Sequence, residues 1–402
     1  MLTATKENGE IIVVASFSRK DLMALREKHF FYCPQCGEKL ILKVGKTLIP
    51  HFAHYTISAC VGLSEPESAL HLQGKKELFQ SLSQQKLSPK LEKTFRSIHQ
   101  RADIFVEYQE NGVAIEYQCS PLSTEALSKR TNGYKSIDID SVWILGCSYQ
   151  ERKKMLAPIT TLSESQLSLL TYHPHKGFCL PIYSPKNPFV FFILNPIPIG
   201  SKFLIQHCQQ SLKFLRFPPS PPNVAKMKKA LFLSIWRREN AKWLRRRIHQ
   251  KRKSRDPFLD LLYQDREYPL LLSEYIGVPV EFMITLKTHP IIWQYFVWRD
   301  SMKGRKRGEQ IRLTDIFKNM KKRIEGEELQ SRELPLCELD YKQAVYHYVQ
   351  FLERAKVLEE IRGDTYIICK VLKSPSTLYE AIRRQEGFFS EEQHILKLFP
   401  LE

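Results

Sequence analysis

The chain has 402 residues, 43% of them hydrophobic and 26% charged, a balance that argues against wholesale disorder and supports about two to four folded domains. Lys and Arg total 61 against 43 Asp and Glu, a net charge of +18, which points to a polyanionic partner, nucleic acid being the commonest. Apolar runs such as Phe189 to Leu194 fall far short of the roughly 20 residues that span a bilayer, and nine cysteines with no export signal argue against a disulfide scaffold and for a reduced, cytoplasmic setting without membrane insertion.

Residues 1–62 open with a strand-like run, Glu10 to Ser16, and a short helix, Arg19 to Glu27. A Cys/His segment follows. Cys33-Pro-Gln-Cys36-Gly has the form of a zinc knuckle, two thiolates two residues apart with a glycine to relax the turn. His51 and His54 come next, then Cys60. Four N/S ligands complete a structural Zn²⁺ site. Cys33, Cys36, His51 and His54 supply four, with Cys60 as the alternative to either histidine.

Residues 63–158 alternate helix and strand. Ser64 with Glu67 reads as a capping box, starting a helix to about Ser83. Strands are predicted at about Leu91 to Ile98, Arg101 to Tyr108 and Val113 to Cys119. A helix capped by Ser123 then runs from Thr124 to Tyr134, and a buried strand from Ser141 to Cys147. The order is αβββαβ. Asn111-Gly112 is a strong hairpin signal. As a two-residue loop it sets Phe105 opposite Gln118 and Asp103 opposite Ser120. Alternation then gathers Asp103, Glu116 and Gln118 on one face, with Ile104, Val106, Ile115 and Tyr117 on the other. Any other loop of even length keeps these faces.

Carboxylates gathered on one face suit a divalent cation. Mg²⁺ or Mn²⁺ held by Asp103 and Glu116 would polarise a phosphodiester and activate a water. Glu67, His71 and Lys75 recur every four residues on one side of the first helix, and Arg130 and Tyr134 are likewise four apart. Together they make the surroundings of a phosphodiester site.

The run Arg-Ala-Asp103-Ile-Phe-Val, then Ala-Ile-Glu116-Tyr-Gln118-Cys-Ser, then Arg130, Tyr134 and Ser-Val-Trp-Ile-Leu resembles the competence protein CoiA family, most strongly over residues 30–150. That family carries a nuclease-like domain of the PD-(D/E)xK superfamily. The resemblance implies a restriction-endonuclease-like core and a role in natural transformation, acting on internalised single-stranded or branched DNA beside recombination proteins. It also implies metal ligation by Asp103 and Glu116, with Glu67 as a helix-borne acid. Two positions depart from the superfamily pattern. Ala102 stands for its Pro, and Gln118 stands for its Lys. Gln orients a water but brings no charge, so Lys75 or Arg130 would have to supply one. A catalytically silent DNA-binding module is the alternative to a metal-dependent deoxyribonuclease.

Residues 159–222 are rich in Pro and aromatics. They suggest a hairpin around Asn-Pro-Ile-Pro-Ile-Gly, then a stiff linker from Phe217 to Pro222. Residues 223–402 read as mainly helical. Thirteen Lys/Arg face one acid, Glu239, between Lys226 and Arg255. Phe232, Trp236 and Trp243 form a helical stripe for core packing. Arg245, Arg246 and Arg247 are the expected contacts to DNA backbone. Leu339 to Lys370 reads as a helix and a short strand pair, compatible with a winged-helix-like unit. The expected whole is a multidomain α/β (α+β) protein: a zinc module, an αβββαβ core, a connector and a basic helical region.

Overall fold

A computed structural model describes residues 1–55, 67–108, 110–224, 227–249 and 256–391. The N-terminal part is a five-stranded antiparallel sheet of β1 (Thr3–Lys6), β2 (Ile11–Val13), β3 (Phe31–Tyr32), β4 (Lys39–Lys43) and β5 (His51–His54), in the order β2-β1-β3-β4-β5. Helix α1 (Arg19–Lys28) starts at a capping box between Ser18 and Asp21.

The central sheet has nine strands. Helix α2 (Ala69–Gln84) precedes β6 (Lys90–Leu91), and β7 (Thr94–Phe95) and β8 (Gln100–Arg101) form a small side pair. Strands β9 (Ile104–Tyr108) and β10 (Asn111–Gln118), helix α3 (Thr124–Lys135) and β11 (Ile139–Gly146) complete the αβββαβ order. The hairpin register differs from expectation. Asn111 pairs with Tyr108 and Ile115 with Ile104, so the reversal precedes Asn111 rather than using Asn111-Gly112. The slip is even, and the faces survive it. One more step of the same register sets Asp103 opposite Glu116. Ile104, Val106, Ile115 and Tyr117 share a core with Leu72, Leu78 and Leu82 of α2. Gly74 is required there, because a Cβ would meet the Tyr117 ring at 2.1 Å.

The sheet does not stop at residue 158. Helix α4 (Tyr149–Met155), β12 (Ile159–Thr160), helix α5 (Glu164–Leu167), β13 (Thr171–His173), β14 (Gly177–Tyr183), β15 (Phe189–Ile199) and β16 (Lys202–Ser211) follow, and all five strands join it. The expected Asn-Pro-Ile-Pro-Ile-Gly turn lies inside β15 instead. A bulge between Leu194 and Ile197 absorbs Pro196, and the chain turns at Gly200 (φ +67°) and Ser201. Beyond the bulge, Ile197, Ile199 and Leu204 leave the sheet's own core and enter that of the C-terminal part.

The C-terminal part contains α6 (Lys229–His249), α7 (Pro257–Gln264), α8 (Pro290–Ser301), β17 (Gln310–Arg312), α9 (Leu313–Glu325), α10 (Tyr341–Arg354), β18 (Leu358–Arg362), β19 (Thr365–Ile368) and α11 (Leu378–Glu391). Helix α8 is buried along most of its length. From α8 to β19 the element order, with a sheet ordered β17-β19-β18, is that of a winged helix. The expected helix and strand pair are its last three elements. Among the described residues no helix is long and apolar enough to cross a membrane.

Candidate functional site

The carboxyl end of β10, the start of β9 and the N-terminal turn of α2 enclose an open cleft of about 490 Å³. Glu67, His71, Arg101, Asp103, Glu116, Gln118 and Arg130 all line it. The strand alternation and the helical spacing therefore bring Glu67, His71, Asp103, Glu116, Gln118 and Arg130 of the expected set to one place, while Lys75 and Tyr134 do not line it.

Their pairing differs from the expected ligand set. Asp103 Oδ2 accepts from His71 Nε2 at 3.1 Å and from the Tyr117 backbone N–H at 3.0 Å, while Oδ1 lies 3.4 Å from Lys75 Nζ. Burial alone would raise the Asp103 pKa, but His71 and Lys75 outweigh it and hold the carboxyl far below the usual range. Glu116 is 3% exposed. Arg130 Nη2 donates to both of its oxygens at 2.8 Å, and Tyr134 OH donates to Oε1 at 2.5 Å. Its pKa is raised, because burial exceeds the pull of Arg130. Both Glu116 oxygens are thus taken by Arg130, one of them also by Tyr134, so Asp103 and Glu116 do not by themselves form an open two-carboxylate cation site. Tyr134 is fully buried and supports Glu116 rather than facing a substrate.

Lys75 is fully buried. Its ammonium donates to Glu67 Oε1 at 2.5 Å and to Glu92 Oε1 at 2.7 Å. It charges the floor beneath Asp103 but cannot touch a substrate, so it is no direct replacement for the lysine absent at 118. Gln118 Nε2 donates to Ser120 O at 2.7 Å and its Oγ at 3.2 Å, fixing the loop after β10. Glu67 does not cap α2. Ser68 does, accepting from the His71 N–H at 3.1 Å, and Ser64 lies outside the described residues. The Glu67 carboxylate instead meets Lys75 and, at 2.7 Å, the Met1 ammonium. Burial would raise its pKa; Lys75, the ammonium and His71 together lower it strongly.

Two residues escaped the sequence reading. Glu92 is buried in a left-handed backbone conformation (φ +52°). It accepts from the Leu2 and Thr3 N–H groups, from Thr3 Oγ1 and from Lys75, so it ties β1 to the cleft floor. Burial opposes its ionisation, but Lys75 prevails and the pKa falls to about 2. Nothing local in Leu91-Glu92-Lys93 announces this role. Arg101 is the other, with Nη2 3.9 Å from Glu67. Its signal was available: in the Arg-Ala-Asp103 run, alternation puts residues 101 and 103 on one face.

Which cation could this cleft hold? Glu67, His71 and Asp103 offer ligand atoms within 4.8 Å of one another, a group that Glu116 does not join. A set of two carboxylates and an imidazole fits Mn²⁺ better than the all-oxygen shell that Mg²⁺ favours.

The second cluster is Cys33, Cys36 and His54, again within 4.8 Å. Cys36 Sγ lies 3.4 Å from His54 Nε2. The knuckle closes through Gly37, whose N–H donates to Cys33 O at 2.9 Å with φ +76°. His51 is absent from the group; its ring Nδ1 lies 2.9 Å from Ile49 O. The reason is periodicity: His51 and His54 sit on a strand, where residues three apart face opposite ways. Cys60 lies outside the described residues. The donors present suit Zn²⁺.

On α6, Arg245 and Arg246 are exposed. Arg247 is different. It forms an ion pair with Asp256 at 2.7 Å and lies over the rings of Trp243 and Phe258. Asp256 also caps α7. Arg247 therefore joins two helices, a structural role that the sequence reading had not assigned to it. Phe232 and Trp236 are buried, as the stripe predicted.

Three family models match the chain: the competence protein CoiA N-terminal domain over residues 14–62, the nuclease-like domain over 67–217 and the C-terminal domain over 232–382. Competence protein CoiA of Bacillus subtilis (strain 168) is 27% identical over 365 residues, which is 90% of this chain and 95% of that protein. No solved structure matches the chain.

Proposed function

The chain belongs to the competence protein CoiA family, and from that premise we propose that it processes DNA taken up in natural transformation, with the phosphodiester backbone bound in the cleft around Asp103. The observation that carries this reading is the convergence there of Glu67, His71 and Asp103 with the guanidinium groups of Arg101 and Arg130. The αβββαβ order around the cleft supports assigning it to a restriction-endonuclease-like core. The reaction is hydrolysis of a phosphodiester.

Glu67, His71 and Asp103 would hold Mn²⁺ or Mg²⁺, which supplies charge at the phosphate and an acidified water. The protein's own contributions are positional. His71, stacked on Tyr117, fixes the Asp103 carboxylate. Lys75 holds Glu67 and Asp103 ionised from beneath. Arg130 and Arg101 present positive charge to a bound backbone, and Gln118 sets the loop at the cleft's rim. Cys33, Cys36 and His54 would hold a structural Zn²⁺ that stiffens the knuckle beside the cleft, where Gln35 is a lining residue.

The test is incubation with branched, single- and double-stranded DNA and Mn²⁺. Cleavage that Asp103→Ala abolishes while binding remains is the expected result. A second reading, a silent DNA-binding module in cytoplasmic recombination of incoming strands, is favoured by the occupancy of both Glu116 oxygens by Arg130. Binding with no cleavage of any substrate would select it.

A further inference from the structure

A winged helix usually meets nucleic acid through the second helix of its helix–turn–helix and through the hairpin wing. In this chain neither is suited to that. The corresponding helix is α10. It buries Ala344, Val345, Tyr348, Val349, Phe351 and Leu352. On another side, His347 lies 3.2 Å from Glu281 and 4.8 Å from the Phe282 ring, and Phe282 in turn packs on Tyr172 and Phe178 of the central sheet. The helix is thus spent on joining the two parts of the molecule. The wing, β18 and β19, carries Glu359, Glu360 and Asp364 against Arg362, so it repels phosphates.

Positive charge collects elsewhere on the same unit. The segment from α8 to β17 presents Lys303, Arg305, Lys306 and Arg307, all exposed, with Arg312 just beyond and Glu309 as the single acid from 303 to 312. Its shape is fixed by backbone bonds. Gly308 N–H donates to Ile368 O at 2.8 Å, and Ile368 N–H donates to Glu309 O at 3.0 Å. Arg305 Nη1 donates to Gln310 O at 3.0 Å. Gly304 (φ +80°) and Gly308 (φ +93°) have nothing within 4 Å of an added Cβ, so the turn stands clear of the body. Lys303 is partly neutralised by Asp265 at 2.8 Å. Lys318, Lys321 and Lys322 of α9 are exposed on the following helix.

We infer that the loop of residues 303–307 is a second DNA-backbone contact, which replaces the recognition helix and wing as the nucleic-acid surface of the winged-helix unit. This rests on the reading that the chain binds DNA. Phosphate contacts of this kind are sequence-independent and release counter-ions.

The experiment measures binding of the full chain to a labelled single-stranded oligonucleotide across a KCl series, without divalent metal. Each phosphate neutralised on a single strand contributes about 0.7 to the log–log salt slope. The R305A/K306A/R307A variant should lose about 2 from that slope. K306E/R307E, which removes no side-chain bond, should bind at least ~10-fold more weakly while its melting temperature stays that of the wild type. An unchanged slope and affinity in both variants, with wild-type binding intact, overturns the inference and leaves the DNA reading standing. Absence of salt-dependent binding by the wild type, or binding only to anionic lipid vesicles, overturns both.

Discussion

Two charged regions of this molecule are built on opposite rules. In the cleft, Glu67, Glu92, Asp103 and Glu116 meet Lys75, Arg101, the Met1 ammonium and the half-buried Arg130, most of them at buried or nearly buried positions. On the loop at residues 303–307 and at Arg245 and Arg246 of α6, cations stand in water with few acids near them. Buried pairs are costly to break and little screened, whereas exposed charge adds almost nothing to folding and is strongly salt-dependent. The first arrangement fixes the shape and charge of the cleft. The second keeps its charge free for a partner.

Four measurements would break or sharpen this contrast. The largest effect is expected from Lys75→Met, which leaves the buried Glu92 carboxylate without its cation; Glu92→Gln, which leaves Lys75 with Glu67 and Asp103, should cost less. A loss of about 3–5 kcal/mol in urea unfolding is expected for Lys75→Met; a loss under 1 kcal/mol would mean that the cleft relaxes as a surface does. The second is the acid limb of stability. Glu92 has its folded pKa near 2 against an ordinary 4.5. Its contribution is complete above pH 4.5 and disappears as pH falls toward 2. Asp103 acts in the same direction; Glu116, raised by burial, acts in the opposite one. The stability gap between wild type and Glu92→Gln should therefore close on acidification, as a series of urea titrations would record.

Smaller effects separate neighbours on α6. Arg247→Ala should cost about 1–2 kcal/mol through its bond to Asp256, with little change in salt slope. Arg246→Ala should leave stability within about 0.5 kcal/mol and lower the slope by about 0.7. The reverse ranking would dissolve the distinction between joint and docking surface.

How much of this was legible beforehand follows from which signals survive error. The hairpin turn was misplaced, yet Asp103, Glu116 and Gln118 stayed on one face because an even slip preserves alternation. The two knuckle cysteines were legible from spacing alone. His51 was readable but misread: its spacing to His54 suits a helix, and the segment is a strand. Arg247 was readable in the same sense, since it lies four residues after Trp243 on the apolar stripe. Glu92 was not, because its partners come from the chain's first three residues and from α2. Only the folded arrangement unites them. The depth of Lys75 was hidden for the same reason, as a period of four cannot say which side of a helix is dry.

The tip of the β15–β16 hairpin has a practical consequence. Ile197, Ile199 and Leu204 are shared with the helices beyond the proline stretch at 217–222. A fragment ending at that stretch would carry these side chains uncovered. The complementary fragment would lack the plug that fills its interior. Expressing either half alone therefore invites aggregation, and the two should melt in one transition rather than as separate beads on a string.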